Sequence, residues 1–196
     1  MMKASKTLTI QISAGKHKGK RLQLPSLDTT RSSKNILKNA FFDSIQFDIQ
    51  EKLFVEVFAG AGSVGLEALS RGAKDAYFIE IDKDAHRVLV ANAKAIDAKH
   101  SHITHADSFV YYPQLLQALP APAYLYFDPP FDIREGMHGI YERVLELIAQ
   151  TPKEKAIMIV IEHMTKMEMP ESIGVYTKQK FKKFGRSALS YYACVG

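Results

Sequence analysis

Residues 53–65 read Leu53-Phe54-Val55-Glu56-Val57-Phe58-Ala59-Gly60-Ala61-Gly62-Ser63-Val64-Gly65, and this stretch decides the fold. Leu53 to Phe58 is a β-branched and aromatic run interrupted only by Glu56, the pattern of a strand buried on both faces. It breaks into glycines, after which Leu66, Leu69 and Ala73 recur at helical spacing. Strand, glycine turn and helix together form a nucleotide-cofactor site: glycine lets backbone approach a ligand, and a new helix offers free N–H groups. The spacing of Gly60, Gly62 and Gly65 also fits the dinucleotide fingerprint, with Glu80 about 20 residues on as a ribose-binding acid.

Outward from this point, strand and helix patterns alternate as in parallel βαβ units. Strands are expected at 53–58, 76–81, near 102–105, 123–127 and 156–161, with helices at 63–71, 83–96, around Leu115 and at about 138–149. Two late runs, 174–183 and 187–195, read as strands joined by a turn at Gly185. Upstream, residues 8–13 and 22–24 read as a β-hairpin whose turn displays Lys16, Lys18, Lys20 and Arg21. A linker from Pro25 leads to a helix of about 34–47, capped by Ser32 or Ser33, with Arg31 and Lys34 at its entry.

In doubly wound sheets, ligands bind outside the carboxyl ends of the strands. Here successive strand ends carry Gly60 and Gly62, Glu80, Asp107, and Asp128. Glu80 suits both ribose hydroxyls, with Asp82 its nearest competitor, and Asp107 suits an adenine amino group. Glu56 inside its strand needs a partner, either loop amides or a cationic cofactor. The more specific signal is Asp128-Pro129-Pro130-Phe131. Two prolines remove backbone donors, so the turn presents the Asp128 carboxylate and the Pro129 carbonyl as acceptors only, which suits an NH₂ group. Phe131 offers an apolar plate for a planar base.

The Glu56-to-Gly62 and Asp128-to-Phe131 motifs resemble those of class I S-adenosylmethionine-dependent methyltransferases acting on exocyclic amines. Ile12-Ser13-Ala14-Gly15 with Gly19-Lys20-Arg21-Leu22, Gly65-Leu66-Glu67-Ala68-Leu69-Ser70-Arg71-Gly72-Ala73, and Phe78-Ile79-Glu80-Ile81-Asp82 are similar to the RsmD family. Those are bacterial 16S rRNA guanine-N2 methyltransferases, and the resemblance runs over about residues 10–131 and more weakly beyond. It implies a Rossmann-like class I fold: a mostly parallel seven-stranded sheet with helices on both faces and its last strand antiparallel. A hairpin-and-helix extension over 1–50 would precede a methyltransferase domain over 51–196. It also implies S-adenosylmethionine held by Glu56, Phe58, Ala59, Gly60, Gly62, Glu80, Ile81, Asp107, Ser108 and Asp128, and a flipped guanine at Asp128 to Phe131. Arg31-Ser32-Ser33 and Ile36 depart from the Arg-Pro-Thr segment and arginine-rich helix start usual in that family.

The net charge of +5 is unevenly placed. Residues 1–38 hold nine Lys/Arg against Asp28 alone, and residues 178–186 hold five with no acid, so the remainder is acidic. Basic ends suit a polyanion, which the resemblance implies is 16S rRNA within a partly assembled small ribosomal subunit, with Lys16, Lys18, Lys20, Arg21, Arg31 and Lys34 as the expected contacts. A single cysteine, Cys194, and no signal-peptide pattern or membrane-spanning run point to a cytoplasmic protein. His100, His102 and His105 complete no metal-ligand pattern, so no metal is expected. The competing readings are a DNA adenine-N6 methyltransferase, a nicotinamide-dependent oxidoreductase and a non-catalytic RNA-binding module.

Overall fold

A computed structural model describes residues 8–25, 31–45, 47–130 and 139–194, with the side chains of 31–34 excepted. Phe131 and the side chains of Arg31 and Lys34 therefore lie outside the described residues. The extension comprises β1 (Thr9–Gln11), β2 (Arg21–Gln23) and α1 (Arg31–Ile45). The alternating core follows as β3 (Leu53–Glu56), α2 (Ser63–Ser70), β4 (Asp75–Glu80), α3 (Lys83–Ile96), β5 (Ser101–His105), α4 (Ser108–Ala118), β6 (Ala123–Phe127) and α5 (Ile140–Ala149). The chain closes with β7 (Ala156–Met164), β8 (Ser172–Ile173), β9 (Tyr176–Phe184) and β10 (Ser187–Cys194).

The large sheet has the order β5-β4-β3-β6-β7-β10-β9-β8. β3, β4, β5, β6 and β7 are parallel, and β10 enters antiparallel between β7 and β9. The expected seven-stranded arrangement is thus present, with one correction: the two-residue β8 adds an eighth strand against β9. The strand order reverses between β3 and β6, so their carboxyl ends open a crevice there. α1, α2 and α3 cover one face and α4 and α5 the other, each over its own apolar cluster. Among the described residues no helix is long and apolar enough to cross a membrane.

Local chemistry explains most boundaries. Asp82 caps α3 by accepting from the amides of Asp84 and Ala85 at 3.0 and 2.8 Å, and Ala85, Leu89, Ala93 and Ile96 then fall on the buried face. α1 begins at Arg31, so Ser32 and Ser33 lie inside its first turn instead of capping it. Phe41 fastens this helix to the sheet, its ring 5.2 Å from Tyr126 and 6.4 Å from Tyr191. β7 outruns its apolar stretch by three residues because β10 pairs with it through Glu162, His163 and Met164.

His163 is fully buried in that extension. Its Nδ1–H donates to the Met164 carbonyl at 2.9 Å, leaving Nε2 to accept from the Ser190 hydroxyl at 2.8 Å. Burial pushes its pKa below 6.5, so the folded imidazole stays neutral. Above pH 6.5 it is neutral in both states and its contribution is complete. As the pH falls from there, the unfolded chain takes up a proton first and that stability is lost. Denaturant midpoints measured down to about pH 5 should therefore fall less steeply for His163→Gln than for the parent.

Candidate active site

The carboxyl ends of β3, β4 and β6 lie side by side, so the residues just beyond them share one edge. Beyond β3, the chain turns through Gly60 and Gly62 at φ +52° and +75°. Gly62 has no alternative: a Cβ there would come within 2.3 Å of the Leu89 side chain, in backbone that L-residues rarely adopt. α3 braces this loop. Asn92 donates from Nδ2 to the Ala61 carbonyl at 2.9 Å and to the Gln23 carbonyl at 3.0 Å, and its Oδ1 accepts from the Gln23 amide at 2.9 Å. One buried side chain thus joins β2 of the extension to the glycine loop.

The amides expected to await a ligand at the start of α2 are already taken. Glu56, 3% exposed, accepts from the Val64 amide at 3.3 Å through Oε1 and from the Gly65 amide at 2.8 Å through Oε2. A buried carboxylate therefore fills the position where a dinucleotide pyrophosphate would sit, and an anion placed there would meet like charge.

Glu80 closes the other side of the loop, accepting from the Gly60 amide at 2.6 Å through Oε2 and from the Asp82 amide at 2.7 Å through Oε1. Each oxygen keeps a second lone pair for a ribose hydroxyl. Ile81 beside it is 61% exposed, an apolar surface facing outward at the strand end. Asp107 spends Oδ1 capping α4 through the Phe109 amide at 2.9 Å. Ser108, expected at the cofactor, is buried and donates its hydroxyl inward to the Val57 carbonyl. Ala59 is buried with its amide on the Ile79 carbonyl at 2.9 Å, and the Phe58 ring rests 5.5 Å from Phe109.

Asp128 is half-buried and Pro129 buried at the end of β6. Sequence reasoning passed over their neighbour Glu162, because the apolar run of β7 ends at Ile161. Ile161 pairs with Phe127, which sets Glu162 beside Asp128. Glu162 is 5% exposed and its Oε2 accepts from the Tyr126 hydroxyl at 3.1 Å. Burial, Glu162, Asp128 and Glu56 together hold the Tyr126 pKa well above 10, so this hydroxyl remains a donor at the centre of three carboxylates.

The hairpin cations lie elsewhere. The turn between β1 and β2 docks on the last residues of α2 and α3: the Lys16 amide reaches the Ser70 carbonyl at 2.7 Å, and Lys20 Nζ the Ala95 carbonyl at 2.9 Å. Both helices start at the glycine-loop edge and run away from it. At 1.5 Å per residue, the contact of Lys16 at the end of α2 is about 12 Å from that edge and the contact of Lys20 near the end of α3 about 20 Å. Among the described residues no group of three or more His, Cys, Asp or Glu side chains could hold a metal ion.

The family described as conserved hypothetical protein 95 matches residues 10–193. A Bacillus subtilis protein provisionally named rRNA methyltransferase YlbH is 26% identical over 192 residues, 93% of this chain and 98% of that protein. Ribosomal RNA small subunit methyltransferase D of Escherichia coli is 27% identical over 139 residues, 71% of this chain and 66% of that one. The solved structure of Escherichia coli yhhF, provisionally described as a methyltransferase, has a TM-score of 0.72 at 23% identity, over 94% of this chain and 97% of its own. That last likeness concerns the fold alone. By the span of the family match, the chain belongs to the conserved hypothetical protein 95 family, the RsmD type of rRNA methyltransferases, and its fold is that of the class I S-adenosylmethionine-dependent methyltransferases.

Proposed function

We propose that this protein transfers a methyl group from S-adenosylmethionine to the exocyclic N2 amine of a guanine in 16S rRNA, within a partly assembled small ribosomal subunit. The observation that carries this reading is Glu56 on the first amides of α2, which turns a phosphate site into a site for a cation. It weighs against a nicotinamide dinucleotide, whose pyrophosphate needs those amides. The relatives' names supply the RNA class.

S-adenosylmethionine, when bound, supplies an electrophilic methyl group on a positively charged sulfur. In this reading Gly60 and Gly62 let the backbone come close, Glu80 takes the ribose hydroxyls, Ile81 covers the adenine and Asp107 accepts from its amino group. The guanine N2 lone pair is delocalised into the ring, which makes it a weak nucleophile. Asp128 and the Pro129 carbonyl would accept its two N–H bonds, aim the nitrogen and stabilise the positive charge that grows on it. The nitrogen sheds its proton only after the C–N bond has formed, so no strong base is required. A stacked guanine cannot reach this edge, so the base is unstacked, with Phe131 as its plate.

Glu162 adds to the negative field around Tyr126. Glu162→Gln keeps the size and the Tyr126 contact while removing the charge, and about a tenfold loss of turnover is expected with donor affinity nearly unchanged. Steady-state and single-turnover rates, with calorimetric titration of the donor, check this. The function itself is tested by offering radiolabelled donor with 16S RNA, immature small-subunit particles or duplex DNA. Label at guanine N2 of 16S RNA is expected; label confined to DNA adenine would refute the substrate.

A further inference from the structure

Building on the rRNA reading above, we infer that the turn between β9 and β10 is the surface that grips unpaired RNA next to the target base. β9 runs parallel to β7, so this turn falls at the carboxyl edge of the sheet. It is tied to the end of β7 by two bonds from Thr165, amide to the Arg186 carbonyl and hydroxyl to the Gly185 carbonyl, both at 2.8 Å. β6, β7, β10 and β9 are consecutive neighbours, which puts the turn roughly 15 Å from Asp128 at three strand spacings. A few nucleotides span that distance.

The chemistry of the turn is that of a single-strand platform. Lys180, Lys183 and Arg186 are exposed, and none has a carboxylate partner among the described residues. Lys178, at the far end of β9, is instead bridged to Glu171 at 2.6 Å. Lys182 is half-buried with Nζ on the Ala40 carbonyl at 3.0 Å, and burial first and then Lys180 lower its pKa against a smaller upward pull from Asp43. On the face of β9 opposite Lys180 and Lys182 stands Phe181, 49% exposed, its ring 6.1 Å from that of His163, with Lys183 on the same face and Arg186 in the turn beyond. An exposed apolar plate with Lys183 on its own face and Arg186 in the adjoining turn fits a base with its phosphates better than an intact duplex, which shows no free base face. A protein partner would need acidic residues opposite these cations and would gain nothing from the nearness of Asp128.

The β1–β2 turn makes the natural contrast, since it is equally basic but sits at the other end of α2 and α3. Methyl transfer to small-subunit particles and to 16S RNA fragments is measured across a salt series for three variants of the full chain: Lys180→Glu/Lys183→Glu/Arg186→Glu, Lys16→Glu/Lys18→Glu and Phe181→Ala. Thermal unfolding and donor titration are measured alongside, and Lys183→Gln/Arg186→Gln replaces the triple variant if that fails to fold. The β9–β10 reversal should raise KM for RNA at least about tenfold and flatten the slope of log KM against log salt by about 0.7 for each lost phosphate contact. Turnover at saturation and donor affinity should be those of the parent. Phe181→Ala should raise KM about tenfold with the salt slope intact, the signature of lost stacking. Reversal at Lys16 and Lys18 should raise KM by the smaller factor. A β9–β10 variant with parental KM and salt slope, or a larger effect at Lys16 and Lys18, overturns the assignment while leaving the enzyme reading in place. A lost response to a protein-containing particle, with that to naked RNA retained, also overturns it. A parent that labels no RNA sinks the reading beneath both.

Discussion

Asp128→Ala is expected to lower methyl transfer by about 10²–10³-fold while the dissociation constant for S-adenosylmethionine stays within about threefold. The separation follows from where the residues stand. The donor's expected contacts lie around the glycine loop and the end of β4, where Glu56 and Glu80 are anchored on the Val64, Gly65, Gly60 and Asp82 amides. Asp128 stands one strand over, past the end of β6, beside the buried Pro129. Alanine removes the acceptor for the N–H bond and the negative charge that offsets positive charge growing on nitrogen. Neither loss disturbs the glycine loop. Asp128→Asn is the sharper variant, because its amide can turn an N–H toward the incoming amine; it should be nearly as poor as alanine despite its size. Single-turnover rates at saturating RNA, with calorimetric titration of the donor, separate the two quantities. Equal losses in turnover and donor binding would mean that Asp128 belongs to the donor site.

What could be read from the sequence was local. The apolar run from Leu53 and the glycines after it each act within a few residues, so strands, helices and the glycine turn emerge from the pattern alone, whereas Asp82, read as a rival of Glu80 for the ribose, proves to cap α3. Asp128-Pro129-Pro130 was legible because proline restricts donors whatever surrounds it. Side chains whose partners are remote in the chain were not. Glu162 follows the last apolar residue of β7 and reads as the end of a strand, until pairing with β10 shows the strand continuing through it. Ser108 reads as a site residue, yet its hydroxyl turns to the Val57 carbonyl 51 positions away. Charge counting found both basic segments but could not say which end of the sheet each occupies; topology decides that.

Glu67 illustrates the same limit and carries the second large expectation: Glu67→Ala should cost about 3–5 kcal/mol of stability. In the sequence it is a mid-helix glutamate, ordinarily a solvated charge. In the structure it is fully buried and holds the extension onto the domain. Its Oε2 accepts from the Ser13 amide at 2.8 Å and lies 3.0 Å from Lys38 Nζ; its Oε1 accepts from the Ala14 amide at 3.1 Å and Arg71 Nε at 2.8 Å. Beside it the chain passes so tightly that a Cβ on Gly15, at φ +82°, would stand 1.8 Å from the Ser70 carbonyl oxygen. Lys38 is 2% exposed, and burial already lowers its pKa against the pull of Glu67. Without Glu67, burial would meet weaker opposition and Lys38 would be left an ammonium with the Gln11 carbonyl as its close acceptor at 2.8 Å. The two amides of Ser13 and Ala14 would lose their acceptors as well. Since a domain of this kind has only about 5–15 kcal/mol in hand, such a loss is readily measured by denaturant unfolding. Lys38→Met in the Glu67→Ala background separates the contributions. Partial recovery is expected, because the stranded Lys38 is gone while Arg71 Nε and the two amides still lack their acceptor. Faster proteolysis within residues 8–25 should persist in the double variant, since those amides are what fasten the hairpin. Full recovery with a protected hairpin would show that the ion pair alone, and not the clasp on Ser13 and Ala14, holds the extension in place.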